Sequence, residues 1–300
     1  MPVAESIPSR FPSWLRVKLP VGENYERIKK VSASRNLHTV CEEARCPNIA
    51  ECWGAGTATF MVLGELCTRG CRFCSVSSAL KPPPPDPLEP QKLAQTIQEM
   101  KLGYIVLTTV CRDDLPDQGA SHIAQCIKSV RRGCPNTKIE VLMQDFRGDK
   151  SLIARVLEAG PDVAAHNLET VRRLSPAIRD AKAGYEQSLE VLSYFREILP
   201  QTPTKSSLLL GIRETEQEVL ESLRDLRSVG VSMVTLGQYL RPDSSGRNLP
   251  VYEFLSPERF DFYADCAREM GFSEIAAGPL VRSSYHAGEL FLKGLKTDAS

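Results

Sequence analysis

The sequence predicts an α/β fold in which short parallel strands alternate with amphipathic helices. Three observations lead to this prediction. Apolar, β-branched runs alternate with helix patterns from residue 57 to residue 278. Helices of this length between strands indicate parallel strands joined by right-handed crossovers. Six strand–helix units are fewer than the eight of a closed (β/α) barrel, so we expect either an open, partial barrel or a doubly wound sheet.

The elements follow one another with clear boundary signals. The expected strands are TATFMVL, YIVLTT, KIEVLM, PDVAAHN, SSLLLG and VSMVTLG, and SEIAAG allows a last short strand. The expected helices are QKLAQTIQEMK, SHIAQCIKSVRR, KSLIARVLEA, YEQSLEVLSYFREI, TEQEVLESLRDLRSV and SPERFDFYADCAREM. Thr215 and Glu218 form a capping box, and Gly160 and Gly230 each end a helix. In either topology the loops after the strands form the functional face.

Composition excludes several classes of protein. Of the 300 residues, 42% are apolar and 25% are charged, which is enough for a sizeable core. Lys plus Arg and Asp plus Glu both number 37, so the chain has no general basic surface for nucleic acid or a membrane. No apolar run approaches the roughly 20 residues of a membrane span. No basic segment followed by an apolar leader is present, and we expect a cytoplasmic protein.

The first 40 residues are locally basic. They contain seven Lys or Arg and three Asp or Glu, a local excess of 7 − 3 = +4. This segment is either a solvated arm or a docking surface for an acidic protein partner.

Cysteine is the unusual residue type, and six of the ten cysteines lie between positions 41 and 74. Cys67, Cys71 and Cys74 follow the first strand with the spacing C-x3-C-x2-C. Three thiolates on one loop can hold three irons of a [4Fe–4S] cluster, which leaves the fourth iron open to a ligand. A zinc site normally has a fourth protein ligand, and neither Cys nor His stands close by in the sequence to supply one.

A second set of cysteines precedes the first strand. Cys41, Cys46 and Cys52 have the spacing C-x4-C-x5-C, so three more thiolates stand close together in the chain. The other four cysteines lack ligand spacing; they are Cys111, Cys126, Cys134 and Cys266.

The C-x3-C-x2-C motif with an aromatic residue before its last Cys resembles the radical S-adenosylmethionine superfamily. The resemblance implies a partial or full (β/α) barrel, here a partial (β/α)6 barrel of parallel strands. It also implies that the open iron binds the amino and carboxylate groups of S-adenosylmethionine, with Phe73 beside the adenine.

The C-x4-C-x5-C set directly before CTRGCRFC resembles the lipoyl synthase family. Further similar blocks are RDDLPDQGA, IEVLMQDFRG, HNLETV, TKSSLLLG, TLGQYLRP, LPVYEFLSPE and GPLVRSSYHAG. Two positions depart from the family's blocks. Cys111 stands where they often have Asp, and Arg213 stands where they usually have a second Gly.

This resemblance implies two [4Fe–4S] clusters. The cluster at Cys67, Cys71 and Cys74 would cleave S-adenosylmethionine. The auxiliary cluster would be held by Cys41, Cys46 and Cys52 with a serine as the fourth ligand. The matching motif RSSYHAG assigns that role to Ser283, although the sequence does not separate it from the adjacent Ser284. A C-terminal tail that folds back over the N-terminal segment is therefore expected.

The implied activity is the insertion of two sulfur atoms at C6 and C8 of an octanoyl chain linked to a carrier lysine, with the auxiliary cluster as sulfur donor. The implied partners are the lipoyl domains of 2-oxoacid dehydrogenase E2 subunits and the glycine cleavage H protein, with ferredoxin or flavodoxin as electron donor. The open alternatives are another radical enzyme that inserts sulfur and a non-enzymatic iron–sulfur or zinc protein.

The chain is expected to have three parts: residues 1–56 carry the auxiliary motif, residues 57–278 form the barrel and residues 279–300 form the tail. His166, Asn167 and Glu169 follow the strand PDVAAHN, at the end where barrel sites form. Asn167 and Glu169 are candidate ligands of S-adenosylmethionine. Their alternative role is to cap the next helix.

Overall fold

A computed structural model describes residues 12–15, 26, 30, 39, 41, 46, 48–242, 246–285, 287–289 and 291. The basic segment before residue 41 lies almost entirely outside these residues, so its docking role stays a prediction. No helix in the part of the chain that is described is both long enough and apolar enough to cross a membrane.

Seven parallel strands form the main sheet, and each expected strand run contributes one of them. They are β1 (Thr57–Val62), β4 (Tyr104–Thr109), β5 (Lys138–Leu142), β6 (Val163–Ala165), β7 (Thr204–Leu210), β8 (Met233–Gln238) and β9 (Glu274–Gly278). They pair in chain order from β1 to β9. Such sequential order follows from repeated strand–helix units that cross over with one hand, and it curves the sheet into a partial barrel with β1 and β9 at its edges. The doubly wound alternative is wrong.

In the described residues, six helices occupy the expected positions after the strands, and two further helices, one before the first strand and a short one before Tyr185, were not predicted. They are α1 (Ile49–Gly54), α2 (Glu89–Met100), α3 (Ala120–Gly133), α4 (Lys150–Leu157), α5 (Ser175–Ile178), α6 (Tyr185–Ile198), α7 (Glu216–Ser228) and α8 (Pro257–Glu269). The capping box at Thr215 and Glu218 is present at the start of α7. The apolar faces of the helices pack on the sheet and form the main core, and a smaller second cluster joins Tyr104 and Met233 to Phe291 of the tail.

A small pair of strands shapes the cysteine loop. β2 (Leu66–Cys67) pairs with β3 (Ser77–Ser78), so the chain between them forms a closed loop. The loop leaves β1 through Leu63 and Gly64, which both have positive φ angles of 74° and 87°. Positive φ costs little for glycine but is strained for leucine.

A buried ion pair fixes the interior of the barrel. The Lys205 ammonium on β7 lies 2.9 and 3.1 Å from the two carboxylate oxygens of Glu140 on β5. Tyr104 on β4 donates its hydroxyl to the same carboxylate over 2.8 Å. Because each charge is paired and hydrogen-bonded, burial is tolerated, whereas removing one partner would leave a costly buried charge.

The C-terminal tail packs against the starts of β1 and β4. Phe291 packs its ring 5.8 Å from that of Tyr104 at the start of β4. A Cβ on Gly288 would lie 3.0 Å from Tyr104 Cβ and 3.1 Å from Thr57 Oγ1, so the tail backbone passes close to the starts of β1 and β4. The tail therefore folds back along the barrel and reaches the starts of these two strands.

Candidate functional site

The C-x3-C-x2-C loop lies at the carboxyl end of β1, the edge where barrel enzymes place their chemistry. Its start is held by Glu89 on α2, which accepts the Leu63 N–H over 3.0 Å. The His122 Nε2 atom on α3 lies 2.6 Å from the same carboxylate. The strained Leu63 backbone is thus fixed by two helices, and it directs the chain toward Cys67.

The three thiols of this loop accept backbone N–H hydrogen bonds. The donors are Arg69 and Cys111 for Cys67, Asp180 for Cys71 and Val76 for Cys74, over 3.3 to 3.4 Å. Such bonds favour thiolate over thiol, and they are also among the features that tune iron–sulfur clusters. The donor set therefore fits a cluster held by three cysteines.

The same thiols influence one another electrostatically. Burial, together with a smaller effect of negative charge on Cys71 and Cys67, raises the pKa of Cys74 to about 12. A hydrogen bond with the Cys111 thiol lowers the pKa of Cys67 to about 6. Three thiolates this close together need a shared cation, because a bound metal compensates the negative charge that burial and repulsion penalise.

Arg69, within the motif, anchors the loop to two neighbouring strands. Its guanidinium forms a two-pronged contact with Asp113, with both distances at 3.0 Å, and donates to Asp145 over 2.8 Å. Thr68 donates its hydroxyl to the Asp113 carboxylate over 2.9 Å. These groups follow β4 and β5, so the contacts fix the cysteine loop across three strands.

The segment after β8 holds the other side of the loop. Arg247 donates to the carbonyl oxygens of Cys74 and Val76 over 2.9 and 3.0 Å. Asn248 donates to the carbonyl oxygens of Arg72 and Cys74 over 3.2 and 2.9 Å. These four hydrogen bonds hold the loop backbone at Arg72, Cys74 and Val76.

The candidate ligands of S-adenosylmethionine lie beside this loop. Glu169 is close enough for its charge to raise the pKa of both Cys71 and Cys74. Burial raises the pKa of Glu169 itself, and Asn167 donates to it over 3.1 Å. Phe73 is partly buried and packs against the main core.

His166 does not belong to this group. Its Nδ1 atom lies 3.0 Å from the Met143 carbonyl and its Nε2 atom 2.9 Å from Ser188 Oγ. Burial lowers its pKa to about 4, so it is a neutral, packed side chain between β6 and α6.

The second cysteine set also comes together in space. The Cys46 N–H donates to the Cys41 carbonyl over 2.9 Å. Burial, together with smaller effects of negative charge on Cys46 and Cys52, raises the pKa of Cys41 to about 12. Cys52 lies on α1 and Cys41 packs near Thr59 of β1. These are again three mutually close, largely buried thiols, and they fit a group that supplies positive charge.

The tail contacts the residues around this second set. Asn48 donates to the Leu280 carbonyl over 2.5 Å, and the Tyr285 hydroxyl donates to Glu51 over 3.1 Å. Arg282 lies near Cys46, whose pKa its positive charge lowers while burial raises it. The two half-buried serines of the RSSY motif stand between Arg282 and Tyr285, namely Ser283 and Ser284.

The close approach of the tail depends on a glycine in β8. A Cβ on Gly237 would fall 2.1 Å from the Val281 carbonyl oxygen, so only glycine fits there. Arg282 also donates to the Gln238 carbonyl over 3.3 Å. The tail thus begins at the carboxyl edge of the barrel, the same edge that carries the C-x3-C-x2-C loop.

Comparison with known proteins agrees with this architecture. The crystal structure of methylornithine synthase (PylB) matches with a TM-score of 0.56 at 11% identity, covering 83% of this chain and 81% of that one. The model of the Radical SAM superfamily matches residues 61–226. The chain is therefore a radical S-adenosylmethionine protein, a class defined by one [4Fe–4S] cluster and S-adenosylmethionine.

Closer relatives identify the branch. A second model, the N-terminal domain of lipoyl synthase of the Radical SAM family, matches residues 3–46. The lipoyl synthase of Anaeromyxobacter dehalogenans is 56% identical over 95% of this chain and 96% of its own length. That of Myxococcus xanthus is 53% identical over 96% of this chain and 95% of its own length. The chain belongs to the lipoyl synthase family.

Proposed function

We propose that the chain inserts two sulfur atoms at C6 and C8 of an octanoyl group attached to a carrier lysine. The observation that carries the proposal is the docking of the tail across the second cysteine set. Asn48 and Glu51 bond the tail at Leu280 and Tyr285, and the tail starts at the edge that holds the first set. Both sets of thiols and the serine motif are thus parts of one folded unit.

The first set is proposed to hold the cluster that acts with S-adenosylmethionine. Cys67, Cys71 and Cys74 would each ligate one iron. Phe73, Asn167 and Glu169 would contact the bound cofactor, because Phe73 is part of the loop and Glu169, to which Asn167 donates, lies close to Cys71 and Cys74. When bound, the cluster and S-adenosylmethionine supply one-electron chemistry that removes hydrogen atoms from unactivated carbons. C6 and C8 of an octanoyl chain carry no acidic proton, so acid–base groups alone have nothing to act on.

The second set is proposed to hold an auxiliary [4Fe–4S] cluster that donates the sulfur. Its protein ligands would be Cys41, Cys46, Cys52 and Ser283. Arg282 supports this assignment, because a guanidinium beside Cys46 offsets the negative charge of the thiolates. The task of the chain is to bury these thiols, orient them and bring both sets to one substrate.

The proposed layout follows the three expected parts, with residues 1–56 carrying the auxiliary motif, 57–278 the barrel and 279–300 the tail. The proposed substrates are octanoylated carrier proteins, namely the E2 lipoyl domains of 2-oxoacid dehydrogenases and the glycine cleavage H protein. Ferredoxin or flavodoxin is the proposed source of electrons.

The test is an anaerobic reaction of the iron-loaded protein with an octanoyl-lysine peptide, S-adenosylmethionine and a reductant, read by mass spectrometry. The expected product carries two added sulfur atoms, and 5′-deoxyadenosine appears with it. Cys126→Ser serves as a matched control, since Cys126 is a buried cysteine on α3 outside both sets. A product with a methylthio group, or 5′-deoxyadenosine without any sulfur in the peptide, would contradict the proposal.

A further inference from the structure

Cys111 lies directly beside one ligand of the first cysteine set. It follows β4, and its carbonyl accepts the Thr68 N–H over 2.9 Å and the Thr68 hydroxyl over 3.0 Å. Its own N–H points at the Cys67 sulfur over 3.3 Å. The chain around Cys111 and the chain around Cys67 therefore run side by side and are hydrogen-bonded to each other.

The two side chains face each other as well. The Cys67 and Cys111 thiols share a hydrogen bond. The Cys67 sulfur lies 3.3 Å from the backbone nitrogen of Cys111, which is two bonds from the Cys111 Cβ, so the two side chains are close enough for the geometry that a disulfide requires. Both residues are half-buried rather than fully enclosed. A bond between these sulfurs thus needs a small side-chain rotation and little movement of the backbone.

The other two cysteines of the loop are placed differently. The Cys71 sulfur accepts a hydrogen bond from the Asp180 N–H, and the Cys74 sulfur accepts one from the Val76 N–H. Neither donor is a cysteine, whereas one donor to the Cys67 sulfur is the Cys111 N–H. Cys67 is the one ligand of this set with a further thiol as a bonded neighbour in the described part of the chain.

We propose that Cys67 and Cys111 form a reversible disulfide when the chain carries no cluster at its first cysteine set. The inference rests on the proposed role of Cys67 as an iron ligand. The disulfide withdraws one of three ligands, so a cluster can enter only after the bond is reduced. The disulfide protects Cys67 from irreversible oxidation. It also makes cluster loading depend on the ratio of reduced to oxidised thiols around the protein.

The reaction balances with a small disulfide such as glutathione disulfide as the oxidant. The Cys67 thiolate attacks one sulfur of glutathione disulfide, which breaks that S–S bond, forms a mixed disulfide and releases one glutathione thiolate. The Cys111 thiolate then attacks the Cys67 sulfur and releases the second glutathione. Two cysteine thiols are oxidised, one glutathione disulfide is reduced, and the two thiol protons end on two glutathione molecules. An excess of reduced thiol drives the same steps backward.

The test uses the full chain, stripped of iron by a chelator without oxygen and then treated with glutathione disulfide. After trypsin digestion, the peptide of residues 102–112 contains Cys111 as its one cysteine, whereas residues 46–69 contain Cys46, Cys52 and Cys67. Fragmentation of the linked pair assigns the bonded sulfur. We expect a Cys67–Cys111 link in most chains and its complete loss with dithiothreitol.

A second readout follows cluster loading. A preloaded iron–sulfur scaffold protein is added without free thiol or sulfide. The oxidised chain should take up about four irons and the reduced chain about eight, because the auxiliary set remains available. Cys111→Ser lacks the thiol that releases the second glutathione, so after oxidation its Cys67 should remain joined to glutathione, as the intact mass shows, and it should also take up about four irons. Cys266→Ser, a half-buried cysteine on α8, is the matched control and should behave like the unchanged chain.

The outcomes separate this inference from the proposed function. Links scattered among all cysteines, or an unchanged chain that keeps glutathione on Cys67 after oxidation instead of forming the internal link, would overturn the disulfide. A specific Cys67–Cys111 link in a chain that never loads iron at this loop would retain the disulfide and overturn the role of Cys67 as a ligand.

Discussion

Replacing Arg69 by methionine should destabilise the protein more than almost any other change of one charged residue. The Arg69 side chain is 3% exposed, and its partners Asp113 and Asp145 are 4% and 1% exposed. Methionine fills a similar volume but leaves two carboxylates buried without their common cation. Breaking a buried pair by removing one partner costs about 3–5 kcal/mol of unfolding free energy, and we expect Arg69→Met to fall in this range.

Two further variants separate charge from geometry. Arg69→Lys keeps the positive charge but loses the planar fork that reaches both oxygens of Asp113, so we expect a loss of about 1.5–3 kcal/mol. Arg155→Met is the exposed control. Its guanidinium is half exposed and lies 3.8 Å from the Asp117 carboxylate, so the loss should stay below about 1 kcal/mol.

The assay is urea unfolding under anaerobic conditions, followed by far-ultraviolet circular dichroism, with iron content measured before each titration. We expect the urea midpoint of unfolding to be highest for the unchanged chain and Arg155→Met, lower for Arg69→Lys and lowest for Arg69→Met. Because Arg69 fixes the cysteine loop, Arg69→Met should also lose iron from the first set to a chelator at lower urea than the unchanged chain. A midpoint for Arg69→Met equal to that of Arg155→Met would refute the reasoning.

Three other predictions concern the two cysteine sets and the stability of the protein at acid pH. Cys71→Ala should abolish 5′-deoxyadenosine production and leave about four irons per chain, since two thiolates cannot hold the first cluster; retained production would contradict the assignment. Cys46→Ala should still cleave S-adenosylmethionine yet form no sulfur-containing product, and any such product without added sulfide would exclude the auxiliary set as donor. Burial alone would raise the pKa of Asp113, but hydrogen bonds and charge from Arg69 lower it to about 2. Its stabilising effect is complete above the unfolded value of about 4 and is lost as pH falls toward 2, so the gap between the urea midpoints of the unchanged chain and Asp113→Asn should narrow from about pH 5 to pH 3.

The alternation of strands and helices was readable from the sequence because each element carries its own period and its own boundary residues. Thr215 and Glu218 illustrate this, since the capping box depends only on positions three residues apart. The spacing of Cys67, Cys71 and Cys74 was equally local. Sequence reasoning could not choose between a barrel and a doubly wound sheet without the resemblance, because both use the same strand–helix unit.

The contacts that hold the site were not readable in the same way. Arg69 stands in the motif, but its partners Asp113 and Asp145 come from two other strands, and nothing in their spacing predicts one shared guanidinium. The proximity of Cys111 to Cys67 has the same origin. Cys111 does not stand at a spacing from the other cysteines that is typical of metal ligands. It comes close to Cys67 only because β1 pairs with β4, which brings together the loops that follow these two strands. Long-range pairing of loop residues is the part of a fold that periodicity does not encode.

The tail poses the same problem for Ser283, and the ligand chemistry there leads to the last prediction. Ser283 and Ser284 are both half-buried and both lie between Arg282, which is near Cys46, and Tyr285, which donates to Glu51. A thiolate is a softer and better-matched ligand for iron than a hydroxyl group. A serine ligand should therefore release its iron more readily, which suits a cluster that must give up sulfur.

Ser283→Cys should consequently retain iron against a chelator at least as well as the unchanged chain, yet form less lipoyl product for each 5′-deoxyadenosine released. Ser283→Ala should keep a cluster on three thiolates but lower the same ratio, since the fourth position is then left to solvent. Ser284→Ala is the matched control and should leave the ratio unchanged. Product and 5′-deoxyadenosine are measured together by mass spectrometry in one anaerobic turnover. If Ser283→Cys made product at the parent ratio, lability of the oxygen ligand would have no part in sulfur release; if Ser284→Ala alone lowered the ratio, the ligand would be the second serine of the motif.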